Sequence, residues 1–470
     1  LKTFLSTDYV DYFCTFMERC YADWYNEEYL STLTDMIIHI IIEMNDENIA
    51  FQYSKVLFTI TYNVNDYMIN LSYAEKIDSF LEEYKTERIA LAYANALVNS
   101  SYIANSYEKS LDQADKIKIL LNEYKSEVIA QKYSEVLTNV SKIANNYHDV
   151  IKQIDKIKVL FMDYGTNEIV LAYASALTNA SGKSNNYIQS LIHAYQIKIL
   201  LNYYEMDEIA FEYARALFNA TCDTDNFDER LKQADKIEAL LQEYKTPEIA
   251  LAYAEALVNV SNKADNYDKS LKQADKINEL LKEYETPEIA LKYAKALFNA
   301  TCVTDNFDER LEQADKINEL LKEYKTPEIA LEYAQVLVNV SNKADNYDKS
   351  LKQANKINEL LKYYKTSKIA LKYAKALAST ALNSDNCNTI ISYKTAIYNL
   401  YQEYKTLEFA ECYAMILAIL SFNLDTADEI KNICLAGIDE IKADGFNSQK
   451  ILDMEEYINE DLSDILNQQN

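Results

Sequence analysis

The chain has 470 residues, 49% of them hydrophobic, with only four glycines and three prolines. This composition excludes a disordered chain, and the scarcity of turn residues argues against a β-rich fold. The formal net charge of −27 argues against a nucleic-acid-binding protein, because phosphate binding needs a basic surface.

The first stretch, residues 1–45, is predicted to be a degenerate N-terminal capping repeat. Phe13 falls where later repeats carry a tyrosine, Asn26 where they carry a loop asparagine, and Trp24 is the single tryptophan. The apolar run from Ile37 to Met44 is too short to span a bilayer. A chain that begins at Leu1 can have lost an upstream targeting segment, which the sequence does not decide.

Residues 46–445 follow a forty-residue period, which is typical of repeat architectures. The clearest copy runs from Thr246 to Glu285, where Thr246 is suited to cap a helix and Pro247 to occupy its first position. Apolar residues at helical spacing then predict two amphipathic helices, called here the first and second helix of each repeat. The predicted repeats begin at Asp46, Thr86, Ser126, Thr166, Met206, Thr246, Thr286, Thr326, Thr366 and Thr406.

Residues 446–470 predict one more amphipathic helix, interpreted as a C-terminal cap. One hairpin cannot bury both of its apolar faces, so successive hairpins are expected to stack. No glycine-, proline- or serine-rich linker separates the repeats, which indicates one continuous array. The predicted fold class is therefore an all-α solenoid of about eleven forty-residue helix-turn-helix repeats with a C-terminal capping helix.

The seven cysteines have no CxxC spacing. Cys222 and Cys302 occupy the same position two repeats apart, too distant to form a disulfide in a stacked array. Reduced thiols are expected, and these favour a cytoplasmic location.

Three aromatic columns recur at the forty-residue spacing and begin near Tyr53, Tyr107 and Tyr84. One interpretation is a series of platforms on which bases stack. The favoured interpretation is packing between hairpins, with each hydroxyl reaching a polar edge.

A column of asparagines near the end of the first helix is the most informative polar feature. Its members are Asn99, Asn139, Asn179, Asn219, Asn259, Asn299 and Asn339. Residues four and seven positions earlier share its helix face and vary in charge between repeats. The candidate partner-binding residues on this face are Glu212, Arg215, Asn219, Asn259, Lys292, Lys295, Asn299, Asn339, Lys372 and Lys375.

Two interpretations of the asparagine column stay open. Each amide could bond the neighbouring repeat and fix the stacking as an internal ladder. Alternatively, the row could hold an extended peptide backbone while the variable neighbours select its side chains.

Searches for catalytic motifs give no glycine-rich phosphate loop and no HExxH, and the three histidines are scattered. Acidic residues such as Glu248 recur in successive repeats, which suits a helix start better than a unique catalytic acid. The sequence therefore predicts a protein without enzymatic activity, cofactor or metal.

The pattern Tyr253, Ala254, Leu257 in a first helix, Ala274 and Ile277 in a second, and Pro287 at the next start resembles tetratricopeptide-type repeats. The forty-residue length is also similar to HEAT and armadillo repeats. Either resemblance implies a right-handed superhelix whose concave face, lined by first helices, binds a protein segment.

The leading hypothesis is a protein-interaction scaffold that binds a peptide or helical segment, with neither nucleic acid nor membrane as partner. The alternative is a sensor or regulatory solenoid that encloses a small ligand or a single partner. A ligand pocket should interrupt the repeat pattern at one place. The most irregular repeats cover residues 126–205, where the departures include Ile154, Gly165, Gly182, His193, Tyr195 and Gln196.

Overall fold

The structure is a computed structural model that describes residues 27–468. Within that range every element of regular structure is a helix. The first ten helices are α1 (Glu27–Met44), α2 (Glu47–Asn63), α3 (Tyr67–Tyr84), α4 (Glu87–Ala104), α5 (Tyr107–Tyr124), α6 (Glu127–Ile143), α7 (Tyr147–Asp163), α8 (Asn167–Lys183), α9 (Tyr187–Tyr204) and α10 (Asp207–Cys222).

The next ten helices continue the same alternation. They are α11 (Phe227–Tyr244), α12 (Pro247–Ser261), α13 (Tyr267–Tyr284), α14 (Pro287–Cys302), α15 (Phe307–Tyr324), α16 (Pro327–Ser341), α17 (Tyr347–Tyr364), α18 (Ser367–Leu382), α19 (Cys387–Tyr404) and α20 (Leu407–Ser421). Even-numbered helices are the first helices of the repeats and odd-numbered helices are the second. The predicted all-α repeat of helical hairpins is confirmed.

The chain divides into two compact units. The N-terminal unit comprises Leu1–Thr224 and Lys236–Lys245, and the C-terminal unit comprises Asp225–Asp235 and Thr246–Asn470. Helix α11 contributes residues to both. Of the predicted N-terminal capping repeat, residues 1–26, with Phe13, Trp24 and Asn26, lie outside the described residues.

Six of the ten repeat starts cap a first helix through a side-chain hydrogen bond. The other four, Thr86, Ser126, Met206 and Thr406, make no such bond. All ten predicted repeat starts, from Asp46 to Thr406, are the residues immediately before a first helix. Thr246 Oγ1 accepts a hydrogen bond from the Ile249 amide at 3.3 Å, and Pro247 follows at the first helical position. The observed first helices therefore begin one residue after each of these positions.

The ends of most second helices use a left-handed residue that is not glycine. Lys85, Lys245 and Glu285 have φ of 49°, 51° and 47°, whereas α7 is followed by Gly165 at φ 60°. The left-handed conformation costs a non-glycine residue roughly 1–2 kcal/mol. The repeats therefore accept local strain at a position where only one of them uses glycine.

The core is formed by the same columns in each repeat. In the repeat at 246–285 the first helix buries Ile249, Tyr253 and Leu257, and the second buries Ala274 and Ile277. Tyr253 is only 2% exposed. The first aromatic column is thus part of the packing between helices, as its favoured interpretation predicts. Its prediction that each hydroxyl reaches a polar edge fails at Tyr133, whose buried Oη has no hydrogen-bond partner.

The last repeat departs from the hairpin pattern. Its second half is α21 (Ala427–Glu429), a π-helical segment (Ile430–Leu435) and α22 (Ala436–Ala443). A β-carbon at Gly437 would lie 2.6 Å from Leu417 Cδ1, so this glycine permits close packing on α20. The helix predicted after residue 446 is α23 (Gln449–Gln468), whose Asp461 Oδ2 accepts a hydrogen bond from Ser421 Oγ of α20 at 2.6 Å.

Candidate functional site: a stripe on the first helices

The candidate residues lie along one face of successive first helices, named here the first-helix stripe. In α14 this face carries Lys292, Lys295 and Asn299, spaced three and four residues apart as one helix face requires. The opposite face holds Ile289 and Leu297, which are buried in the core. The stripe is therefore positioned by the same helices that form the core, and its side chains are free to differ between repeats.

The asparagines of the stripe bond back to the preceding repeat in two ways. Asn139, Asn179 and Asn339 donate from Nδ2 to a serine or threonine hydroxyl, at 2.8, 2.8 and 3.0 Å. Asn219 and Asn299 donate from Nδ2 to a backbone carbonyl oxygen, each at 3.2 Å. These bonds use N–H groups of the amide and not its carbonyl oxygen, which is the acceptor of the group.

Two arginines that the sequence did not single out act on the same column. Arg310 is 7% exposed and donates from Nη1 to the Asn339 backbone oxygen at 2.7 Å. Arg230 donates in the same way to the Asn259 oxygen at 2.7 Å. The repeat between them has Ser270 at this position, and its hydroxyl lies 2.8 Å from Ser261 Oγ. Alternate repeats thus use different side chains to fix the end of a first helix.

The charged stripe residues of the C-terminal unit form a series in which side chains of neighbouring repeats interact. Lys292 Nζ lies 2.7 Å from Glu255 Oε1, and both side chains are partly exposed. Glu332 is buried, and burial raises the pKa of its carboxyl, although Lys295 and Lys372 oppose this rise. Lys375 is exposed at the end of the series.

Lys372 is half-buried, in an environment that disfavours the charged form of its ammonium group. Burial lowers its pKa, the neighbouring Lys375 lowers it further, and Glu332 partly offsets both. Gln335 Nε2 donates to Glu332 Oε2 at 2.8 Å and so holds the carboxylate in place. Glu332 and Gln335 were not among the predicted site residues, although their positions in the repeat match Lys292 and Lys295.

In the N-terminal unit the stripe is less cationic. Glu212 is 7% exposed, and Arg215 Nη1 lies 3.3 Å from its Oε2 atom. Asn219 completes this face. The structure therefore groups Glu212 with Arg215 in one unit. In the other unit it groups Lys295 and Lys372 around Glu332, with Lys375 beside Lys372.

The irregular repeats at 126–205 owe part of their departure to the internal packing. His193 Nε2 lies 2.9 Å from Tyr147 Oη, and its Nδ1 lies 3.1 Å from Gln196 Oε1. The equivalent Gln153 donates to Tyr107 Oη at 3.1 Å. Burial lowers the pKa of His193, so the ring is neutral at pH 7. His193 therefore replaces a packing glutamine, and the second aromatic column supplies hydroxyl groups to bonds between repeats.

A cavity of about 590 Å³ lies near these repeats, within the N-terminal unit. It is lined by residues of α9, α10 and α11, among them Lys198, Tyr213, Lys236 and Ala239. Ala239 stands where the later repeats carry Glu279, Glu319 and Glu359.

Metal ligands, membrane spans and cysteines are described here for residues 27–468. No group of three or more histidine, cysteine or acidic side chains there is arranged to hold a metal ion. None of the helices in that range is long and apolar enough to cross a membrane. Cys222 and Cys302 are exposed, Cys412 and Cys434 are buried, and none of these four forms a disulfide.

Comparisons with known proteins identify no family. No protein-family model and no curated protein matches the sequence. A solved structure described as "A conserved phosphorylation switch controls the interaction between cadherin and beta-catenin in vitro and in vivo" is similar over 96% of this chain and 96% of that chain. The identity is 9% and the TM-score is 0.38, a level of similarity that carries no inference about function.

Proposed function

We propose that the protein is an interaction scaffold that binds an extended acidic peptide segment along the first-helix stripe of its C-terminal unit. The observation that carries this proposal is the placement of Lys292, Lys295, Lys372 and Lys375 on one face of a chain whose net charge is −27. A local cationic surface on an acidic protein favours acidic partners and disfavours most others.

The buried Glu332 supports this role. Its carboxylate lies in the field of Lys295 and Lys372, which are one repeat away on either side, and its charge is poorly solvated. An acidic ligand would compensate the lysines in the same way, with better access to solvent. The exposed Lys375 and half-buried Lys295 are therefore the expected contacts for ligand carboxylates.

The asparagine column supports capture of a peptide backbone. Asn299 and Asn339 are half-buried, and their Nδ2 bonds to the preceding repeat fix the orientation of each amide. An amide held in this way keeps its carbonyl oxygen as an acceptor for a peptide N–H. The ladder and the groove are then two uses of the same side chains, one stabilising the stack and the other binding the ligand.

The test is selection from a random peptide library with the full chain as bait. We expect the enriched peptides to be rich in aspartate and glutamate. The variant K295Q/K372A/K375Q, built from residues found at these positions in other repeats, should lose this enrichment. Enrichment of basic or neutral peptides, or unchanged enrichment by the variant, would contradict the proposal.

The cavity near α9 favours a second candidate function, a sensor for a small ligand. Its lining combines the cations Lys198 and Lys236 with Glu205 and the partly buried Tyr244, which suits a small amphoteric molecule. A panel of amino acids and nucleotides would be screened for compounds that raise the melting temperature. The variant Ala239→Glu should abolish any such rise because it adds a larger, negatively charged side chain to the lining of the cavity. A rise that persists in this variant would exclude the cavity as the site.

A further inference from the structure

The outward face of α9 is apolar, unlike that of the second helices in the regular repeats. Five large side chains of this helix are exposed to solvent. They are Ile188 (68% exposed), Ile192 (52%), Tyr195 (65%), Ile199 (40%) and Tyr203 (82%). The inward face of the same helix buries Ala194, Ile197 and Leu200, so α9 is apolar on both sides.

Helix α13, at the same position of a later repeat, provides a comparison for this surface. Eighty residues later, the same five positions of α13 hold Asp268, Lys272, Asp275, Glu279 and Glu283, all of them exposed. Both helices bury the same inward columns, so the fold does not require an apolar outward face. The five side chains of α9 present on the order of 600 Å², at the upper end for the largest apolar patch of a monomer.

The spacing of the five residues suits a second helix as the covering element. From Ile188 the successive exposed residues are four, three, four and four positions apart. This spacing approximates the a and d positions of two consecutive heptads. An antiparallel copy of α9 would place Ile192 against Ile199, and Ile188 against Tyr203. Tyr195 of each copy would then lie beside the two-fold axis. The face is therefore complementary to itself.

The charge distribution also favours a second copy of this chain as the binding partner of the α9 face. Helix α9 contains no acidic residue, and Lys198 is its one lysine or arginine. In a chain of net charge −27, most surfaces of two copies repel each other, but two α9 faces bring no carboxylates together.

The neighbouring second helix extends the same surface. Helices α7 and α9 are in contact through Tyr147 and His193, and through Phe161 and Tyr204. On α7, Val159 and Met162 are 57% and 75% exposed. They enlarge the apolar area toward the roughly 800 Å² per partner of a standard protein interface.

We propose that the outward face of α9, with Val159 and Met162 of α7, is the interface of a symmetric homodimer in which two α9 helices pack antiparallel. A two-fold interface uses the same patch on both copies, as this self-complementary face requires. This surface lies on second helices of the N-terminal unit. The proposal is therefore independent of peptide binding by the first-helix stripe.

The test is sedimentation velocity of the full chain between about 1 and 100 µM, a range in which a dimer with a dissociation constant of about 1 µM or less is mostly associated at the upper end. We expect a dimer. The variant I188D/I192K/Y195D/I199E/Y203E carries the side chains of α13 and should sediment as a monomer, with at least 100-fold weaker association. Circular dichroism should show unchanged helix content, because α13 folds with these residues in the same repeat pattern.

The matched control replaces exposed apolar side chains outside α7 and α9 with acidic ones. The variant Y363E/L382D/F422E also removes exposed apolar side chains, which are 75%, 63% and 80% exposed, and adds three negative charges. It should remain dimeric. A wild-type chain that is monomeric throughout the range, or a dimer that the control disrupts as strongly as the α9 variant, would overturn the proposal.

A second measurement tests the geometry of the dimer without depending on a disruptive variant. The substitution Tyr195→Cys should give a covalent dimer with a short bismaleimide, linked through position 195 in both copies as identified by mass spectrometry. Tyr62→Cys, at a residue that is 73% exposed on a first helix, should not. Failure to link position 195 to itself would exclude the antiparallel arrangement.

Discussion

The hairpin α8–α9 and the hairpin α12–α13 share most of their buried columns and differ in their exteriors. Ile197 and Ile277 are both fully buried, and Tyr173 and Tyr253 occupy the same position of the first helix. Outward, however, Tyr195 stands where the other hairpin has Asp275. The columns that face inward determine the architecture. Residues that face outward or lie along the stripe can therefore differ between repeats without changing the fold, and these are the positions at which repeats can acquire distinct partners.

The largest expected effect would come from the columns that the two hairpins share. Ile197→Ala and Ile277→Ala should each destabilise their own hairpin by about 3 kcal/mol, through lost burial and the cavity left behind. Hydrogen exchange measured by mass spectrometry would report each hairpin separately, which suits a repeat chain that need not unfold in one step. Clearly unequal losses at the two sites would contradict the claim that their interiors are equivalent.

The next effect concerns the position where repeats alternate between arginine and serine. Arg310→Ala should cost about 2–3 kcal/mol, because it removes charged hydrogen bonds to the Thr304 and Asn339 backbone oxygens. Ser270→Ala should cost about 1 kcal/mol, since it removes a neutral bond. Thermal denaturation of both variants would show the difference, and an equal loss would mean that the arginine only fills space.

A smaller effect is expected at the residues that precede the two hairpins. Gly165 and Lys245 share the left-handed conformation, with φ of 60° and 51°. Lys245→Gly should therefore stabilise the protein by about 1 kcal/mol, and Gly165→Lys should destabilise it by a similar amount. Chemical denaturation of the two variants checks the opposite signs, and two changes of the same sign would contradict the explanation.

The smallest expected effect is the pH dependence contributed by Glu332. Its pKa in the folded protein is raised by burial, so the folded state binds a proton more readily than the unfolded state. The unfavourable contribution of its ionised form is present above the folded-state pKa and disappears as the pH falls below the unfolded value of about 4.5.

A neutral replacement isolates this contribution. Glu332→Gln should raise the melting temperature at pH 7 and leave it nearly unchanged at pH 4. Glu212→Gln, at the equivalent position of the N-terminal unit, is the matched control for loss of a buried carboxylate. A lower melting temperature of Glu332→Gln at pH 7 would mean that the ion pairs with lysine outweigh the burial of the charge.

Sequence periodicity was sufficient to predict the helices and most of the core. Thr246, Pro247 and Tyr253 have local or periodic signals, so the cap, the helix start and the buried position could each be predicted. Lys85 and Glu285 at left-handed helix ends could not, because only the glycine at position 165 carries a signal for that conformation. The π-helical segment at Ile430–Leu435 likewise depends on the packing of the last repeat against α20.

The candidate sites were only partly predictable. The asparagine column was visible as a repeat, but whether its amides bond to the preceding repeat depends on distances that no spacing supplies. Arg310 was overlooked because an arginine at the start of a helix suggests solvent exposure. The apolar residues of α9 were visible as departures such as Tyr195. Their exposure follows only once the outward register is fixed by the neighbouring helices.

Fluorescence anisotropy would show whether the lysines of the first-helix stripe bind an acidic peptide. A labelled peptide from the library selection would be titrated with the wild-type chain, with K295Q/K372A/K375Q, and with K282Q/K322Q/K362Q. The last variant removes the same charge from second helices, where these lysines are 62–63% exposed and paired with glutamate. We predict that affinity falls at least tenfold in the stripe variant and less than twofold in the control. Equal losses in both variants would show that net charge, and not the stripe, determines binding.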